Sequence, residues 1–134
     1  MTYRTVVLTA VLALWGSWIA SGCIFIDTNG GLDEYTETCS SGGCELSCPA
    51  VGTCNLSCAG GGCEMHCNGS DDCRVDCPGG RCEIHCENSD DCDVRCTGGR
   101  CEVECDNADF CRTRCSGGDC DVDCDRADRC IRQS

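Results

Sequence analysis

Between Cys77 and Cys96 the chain reads CPGGRCEIHCENSDDCDVRC, five cysteines in twenty residues with little that is large and apolar between them. Thiols at this density have three uses: a thiolate cage for metal, reactive nucleophiles, or a disulfide framework for a domain with no other core. The whole chain carries 21 cysteines in 134 residues, two histidines and no lysine. A thiolate cluster favours closely spaced C-x-C pairs beside lysines that offset its charge, and the chain has neither. Zinc ligand pairs two to four residues apart are permitted in C-x3-C, but an extended chain would aim the two sulfurs at opposite ends of a strand. A catalytic thiol would stand at one distinctive place, and these cysteines recur at equivalent ones. The disulfide framework is the expectation that remains.

The elements that must position the cysteines follow from their period. From Cys39 onward the pattern repeats every nineteen residues without slippage. Cys39, Cys58, Cys77, Cys96 and Cys115 form one column, and Cys44, Cys63, Cys82, Cys101 and Cys120 a second. Cys48, Cys67, Cys86, Cys105 and Cys124 form a third, and Cys54, Cys73, Cys92, Cys111 and Cys130 a fourth. Only Cys23 stands outside. A fixed period of this size marks an array in which each unit buries its inner face against the next.

Each repeat holds two pieces of the form C-x-φ-x-C, with Leu46, Leu56, Met65, Val75, Ile84, Val94, Val103, Thr113 and Val122 at the centre. Alternation with period two turns both cysteines and the central residue inward and the charged residues outward. Five residues between glycine pairs are too few to nucleate a helix. The turns are periodic as well: four-residue turns carry Gly60-Gly61, Gly79-Gly80, Gly98-Gly99 and Gly117-Gly118, and five-residue turns place Asp71, Asp90, Asp109 and Asp128 fourth. The expected fold is all-β, a flattened two-sheet β-solenoid of five nineteen-residue coils, with like strands stacked about 4.8 Å apart. An antiparallel meander is the alternative, but it gives residues nineteen apart no reason to match. In such a coil the cysteines flanking each turn approach one another, 39 with 44, 48 with 54, and onward to 124 with 130. That rule uses all twenty repeat cysteines. Pairing within a strand fails, because residues four apart in an extended chain lie about 13 Å apart, beyond disulfide reach.

An oxidising compartment is implied by the N-terminus. Arg4 and the free amine precede Val6 to Ala20, a stretch without charge, and the small residues Ala20-Ser21-Gly22 lead into Cys23. This is the pattern of a secretory signal. A membrane-spanning helix is the competing reading, against which stand Asp27, Asp33, Glu34 and Glu37 where a basic stop-transfer flank belongs. Ile19-Ala20-Ser21-Gly22-Cys23 resembles the lipobox of bacterial lipoproteins, with Ala20 in place of the usual leucine. The resemblance implies cleavage before Cys23, lipidation of Cys23 by the lipoprotein processing and sorting machinery, and, with Ile24 rather than aspartate next, sorting to the outer membrane. Two acyl groups on one cysteine suffice for stable anchoring. The domain division is then a signal peptide over 1–22, a lipidated N-terminus and flexible tether over 23–38, and a cysteine-rich repeat domain over 39–134. Ordinary secretion without lipid is the other outcome.

The repeat is also loosely similar to the calcium β-rolls of secreted bacterial proteins, through the paired glycines and strand of Gly117-Gly118-Asp119-Cys120-Asp121-Val122-Asp123. Val122 stands where those rolls need a calcium-ligating aspartate, so the resemblance extends to coil size and not to calcium.

On the outside, one sheet is expected to display Glu45, Ser47, Glu64, His66, Glu83, His85, Glu102, Glu104, Asp121 and Asp123, and the other a mixed column Arg74, Asp93, Arg112. Charged faces keep stacked strands soluble. The acidic face offers Glu64, His66, Glu83 and His85 as candidate ligands for a divalent cation, the Asp71, Asp90, Asp109, Asp128 column as another, and a surface for a basic protein partner. The formal charge of −13 argues against nucleic acid. No group is placed uniquely beside a base, so the expectation is a non-enzymatic envelope protein without cofactor, a spacer or interaction module, with cation binding as the rival function.

Overall fold

A computed structural model describes residues 34–134. The signal over 1–22, the tether up to residue 33 and the lipidation candidate Cys23 lie outside the described residues.

Eleven strands alternate between two sheets. β1 (Glu34–Cys39), β3 (Thr53–Cys58), β5 (Asp72–Asp76), β7 (Asp91–Arg95), β9 (Phe110–Arg114) and β11 (Arg129–Gln133) follow one another in the first sheet. β2 (Glu45–Cys48), β4 (Glu64–Asn68), β6 (Glu83–Glu87), β8 (Glu102–Asp106) and β10 (Asp121–Asp123) make the second. Every pairing is parallel and in register at nineteen residues, as in Cys73↔Cys92 and Ile84↔Val103. Successive strands never pair with each other, so the meander is excluded and the chain is a cysteine-rich parallel β-solenoid. Six strands at about 4.8 Å spacing make a stack about 24 Å long.

The core is built from one inward column on each sheet. Leu46, Leu56, Met65, Val75, Ile84, Val94, Val103, Thr113 and Val122 are all buried, flanked by the cysteines of the same strands. Each aliphatic side chain contributes about 1.5–3 kcal/mol by leaving water, a modest sum for so flat a fold. The turns supply the rest. Disulfides join Cys39–Cys44, Cys48–Cys54, Cys58–Cys63, Cys67–Cys73 and Cys77–Cys82. They continue with Cys86–Cys92, Cys96–Cys101, Cys105–Cys111, Cys115–Cys120 and Cys124–Cys130. A loop this short loses about 2 kcal/mol of unfolded-state entropy when it is closed.

Turns stack as tightly as strands. The amide of Gly62 donates to the carbonyl of Gly80 at 2.9 Å, and those of Arg81 and Arg100 donate to Gly99 and Gly118, each at 3.0 Å, so the hydrogen-bond ladder runs on around the edge. Gly80 shows why its column must be glycine: its φ is 72°, and a Cβ there would lie 2.6 Å from the carbonyl oxygen of Gly99. The next position also turns left-handed, yet it carries Arg81, Arg100 and Asp119 with φ of 57°, 58° and 56°. A Cβ at Gly62, in that same column, meets nothing within 4 Å. Only the left-handed backbone, about 1–2 kcal/mol, has to be offset there.

The first strand begins earlier than the sequence suggests. Glu34 to Thr38, assigned above to the tether, form most of β1 and pair with Thr53 to Ser57. Tyr35 and Glu37 take the inward places that cysteine and an aliphatic residue take elsewhere, which hides the period from a count of cysteines.

Candidate functional site

The outer face of the second sheet gathers both histidines and a run of carboxylates. Strict register stacks Glu45, Glu64, Glu83, Glu102 and Asp121 in one column and Ser47, His66, His85, Glu104 and Asp123 in the next. Each strand there alternates a buried aliphatic residue with outward polar ones, so β6 presents Glu83 and His85 on either side of buried Ile84.

Within these columns the histidines are the organising groups. The imidazoles of His66 and His85 stack with centroids 4.9 Å apart and planes 9° from parallel. Nε2 of His66 lies 3.0 Å from Oε1 of Glu64. His85 engages two carboxylates, Nε2 at 3.3 Å from Glu83 and Nδ1 at 2.9 Å from Glu104. A carboxylate only accepts, so the ring donates through Nδ1 to Glu104, and the contact with Glu83 is a charge contact when the ring carries two protons. Glu64, His66, Glu83 and His85 are thus brought together, but parallel rings do not point their nitrogens at a common centre. A zinc ion held at about 2.0–2.1 Å by both imidazoles would require one ring to leave the stack. The cluster suits a cation held loosely by carboxylates, or the guanidinium of a partner, better than a tetrahedral metal centre.

Glu104 was not among the four candidate ligands. The signal for it was present, since it stands nineteen residues after His85 and the register makes them neighbours. The turn column of Asp71, Asp90, Asp109 and Asp128 is exposed along the opposite edge from the glycines. Its backbone takes part in the ladder: the amide of Asp91 donates to the carbonyl of Asp71, and that of Phe110 to Asp90, both at 2.8 Å.

On the first sheet Asp93 accepts from Nη1 of Arg114 at 2.8 Å and lies 3.8 Å from Arg112. Arg112 also covers the ring of Phe110 at 4.9 Å. These half-buried surface pairs each contribute up to about 1 kcal/mol and leave a face of mixed sign. A shallow trough follows the glycine turns, floored by Gly60, Gly79, Gly98 and Gly117 and rimmed by Arg81 and Arg100.

Fold and surface together define a disulfide-closed parallel β-solenoid with one acidic face. Compared with protein-family models, with curated proteins and with solved structures, the chain matches none of them.

Proposed function

We propose that this chain is a lipid-anchored protein of the bacterial cell envelope, held at the outer membrane, in which a rigid β-solenoid serves as a non-enzymatic spacer or interaction module. The observation that supports it is the pairing of all twenty repeat cysteines in turn disulfides, downstream of a leader whose uncharged stretch from Val6 to Ala20 leads into Cys23. Such a framework forms and persists in oxidising compartments, and an acylated Cys23 would hold it at a lipid surface. The acidic face then meets the surroundings, where it repels anionic surfaces and attracts cations and basic proteins.

Mass spectrometry of the chain recovered from membranes tests this reading. The expected mass is that of a chain starting at Cys23 with a diacylglyceryl thioether and an acylated amine, and no free thiol among the repeat cysteines. Cys23→Ala should remain an uncleaved precursor. Normal cleavage and export of that variant would replace the anchor with plain secretion.

Contact of His85 with Glu83 and Glu104 favours a second reading, a divalent-cation binder on the acidic face. Titration calorimetry with calcium and with zinc separates the two, because saturable binding lost in Glu104→Gln belongs only to the second.

A further inference from the structure

The inward column of the first sheet reads Glu37, Leu56, Val75, Val94, Thr113, Arg132. Its four middle residues are buried. A charge replaces them at each end, negative on β1 and positive on β11. We infer that the two ends of the solenoid are complementary and that the protein associates head to tail with further copies of itself, Glu37 of one copy pairing with Arg132 of the next.

The steps at the two ends fit one another. Among the described residues, β1 and β11 are the edge strands of the first sheet, and β2 and β10 those of the second. Each end therefore has a strand standing proud in the first sheet and a recess in the second. A second copy rotated by half a turn about the stacking axis sets its β1 into the recess over β10 and brings its β2 over β11. Rotation by half a turn also reverses strand direction, so β1 arrives parallel to β10, and both sheets continue without a gap. The two halves of a coil share the pattern C-x-φ-x-C, which places the incoming Glu37 over Val122. Arg132 already reaches that place, since its guanidinium donates to the carbonyl oxygen of Val122.

Inward charges on edge strands are also a device against unwanted pairing, and a device of that kind works with either sign. Opposite signs at opposite ends do more: they favour head-to-tail contact and oppose head-to-head and tail-to-tail contact, in which like charges would be buried together. In the single copy each charge has a provisional partner, Glu37 the hydroxyl of Tyr35 at 3.1 Å and Arg132 the carbonyl of Val122. A head-to-tail contact of this kind does not close on itself and builds an open filament.

Because the chain has no lysine, Arg132→Lys introduces a single side-chain amine, and a zero-length carbodiimide can join it to a carboxylate in direct contact. Treated in the membranes of cells making the full chain, this variant should give a ladder of covalent multimers whose linked peptides join Lys at 132 to Glu37. Adding Glu37→Gln should abolish that linkage. In sedimentation of the purified full chain, Glu37→Arg or Arg132→Glu should weaken association about thirtyfold or more, and the double reversal should restore it. Linkage confined to carboxylates of the same molecule would overturn the inference, as would single reversals that leave the mass distribution of the unmodified chain unchanged; the charges would then be end caps only.

Discussion

His85 lies flat against His66, one strand further along the stack, and its far nitrogen meets Glu104 one strand beyond that. This relationship exists only because residues nineteen apart are neighbours in register. Slipping one strand by a single residue would send His85 into the core and Ile84 into water. The register is therefore testable on β6 alone. Ile84→Ala should cost about 2–5 kcal/mol, whereas Glu83→Gln, on a half-exposed ion pair, should move stability by less than about 1 kcal/mol. Denaturant unfolding with the disulfides intact measures both, and equal costs at the two positions would speak against the alternation.

Thr113 breaks the aliphatic column in the opposite sense. Its hydroxyl is buried and has no hydrogen-bond partner among the described residues. An unsatisfied buried polar group costs about 1–3 kcal/mol, so Thr113→Val should stabilise the domain by an amount in that range. A neutral or harmful effect would mean that the hydroxyl has found a partner or a water.

The glycine edge separates two costs that usually travel together. Gly80→Ala meets both a left-handed backbone and the carbonyl of Gly99, while Gly62→Ala meets the backbone alone. The expected loss at position 62 is about 1–2 kcal/mol, with a larger loss at position 80. Comparison of the two unfolding midpoints settles the order. If alanine is tolerated equally at both, the coils are not stacked turn on turn.

Tyr35 reports on the first coil. Partial burial lifts its phenol above the ordinary tyrosine value of about 10, and the hydrogen bond and negative charge of Glu37 act in the same direction. A raised folded value means that this contribution to stability is complete below about 10 and is lost as pH climbs through the folded pKa. The absorbance rise that disappears in Tyr35→Phe should come above the ordinary tyrosine range and move down in Glu37→Gln. No movement in that variant would remove Glu37 from the contact.

Much of this architecture is written in side-chain identity. Cysteine and aliphatic residues at nineteen-residue spacing specify strand, face and coil, because both the fold and the period are set by what must be buried. The start of β1 was hidden because Tyr35 and Glu37 occupy inward places without resembling their counterparts. Arg81 and Arg100 were hidden for the reverse reason, since their left-handed backbone is dictated by the stacked turn and not by the residue. Glu104 was legible in the register but needed the imidazole of His85, turned toward it, to become a partner. The sign change from Glu37 to Arg132 becomes meaningful only when both are seen in one column at opposite ends.

The account depends above all on each turn being closed by its own disulfide, and tryptic mapping of the unreduced chain tests that most directly. Cleavage after Arg74, Arg81 and Arg95, in denaturant with thiols blocked, should release one covalent unit of two peptides, residues 75–81 and 82–95. Cys77–Cys82 would join them, and Cys86–Cys92 would close a loop within the second. Recovery of that unit, free of any peptide containing Cys63 or Cys96, is the result expected. A mass in which residues 75–81 are joined to either of those cysteines, or in which Cys77 and Cys82 are alkylated, would contradict the disulfide-closed coil.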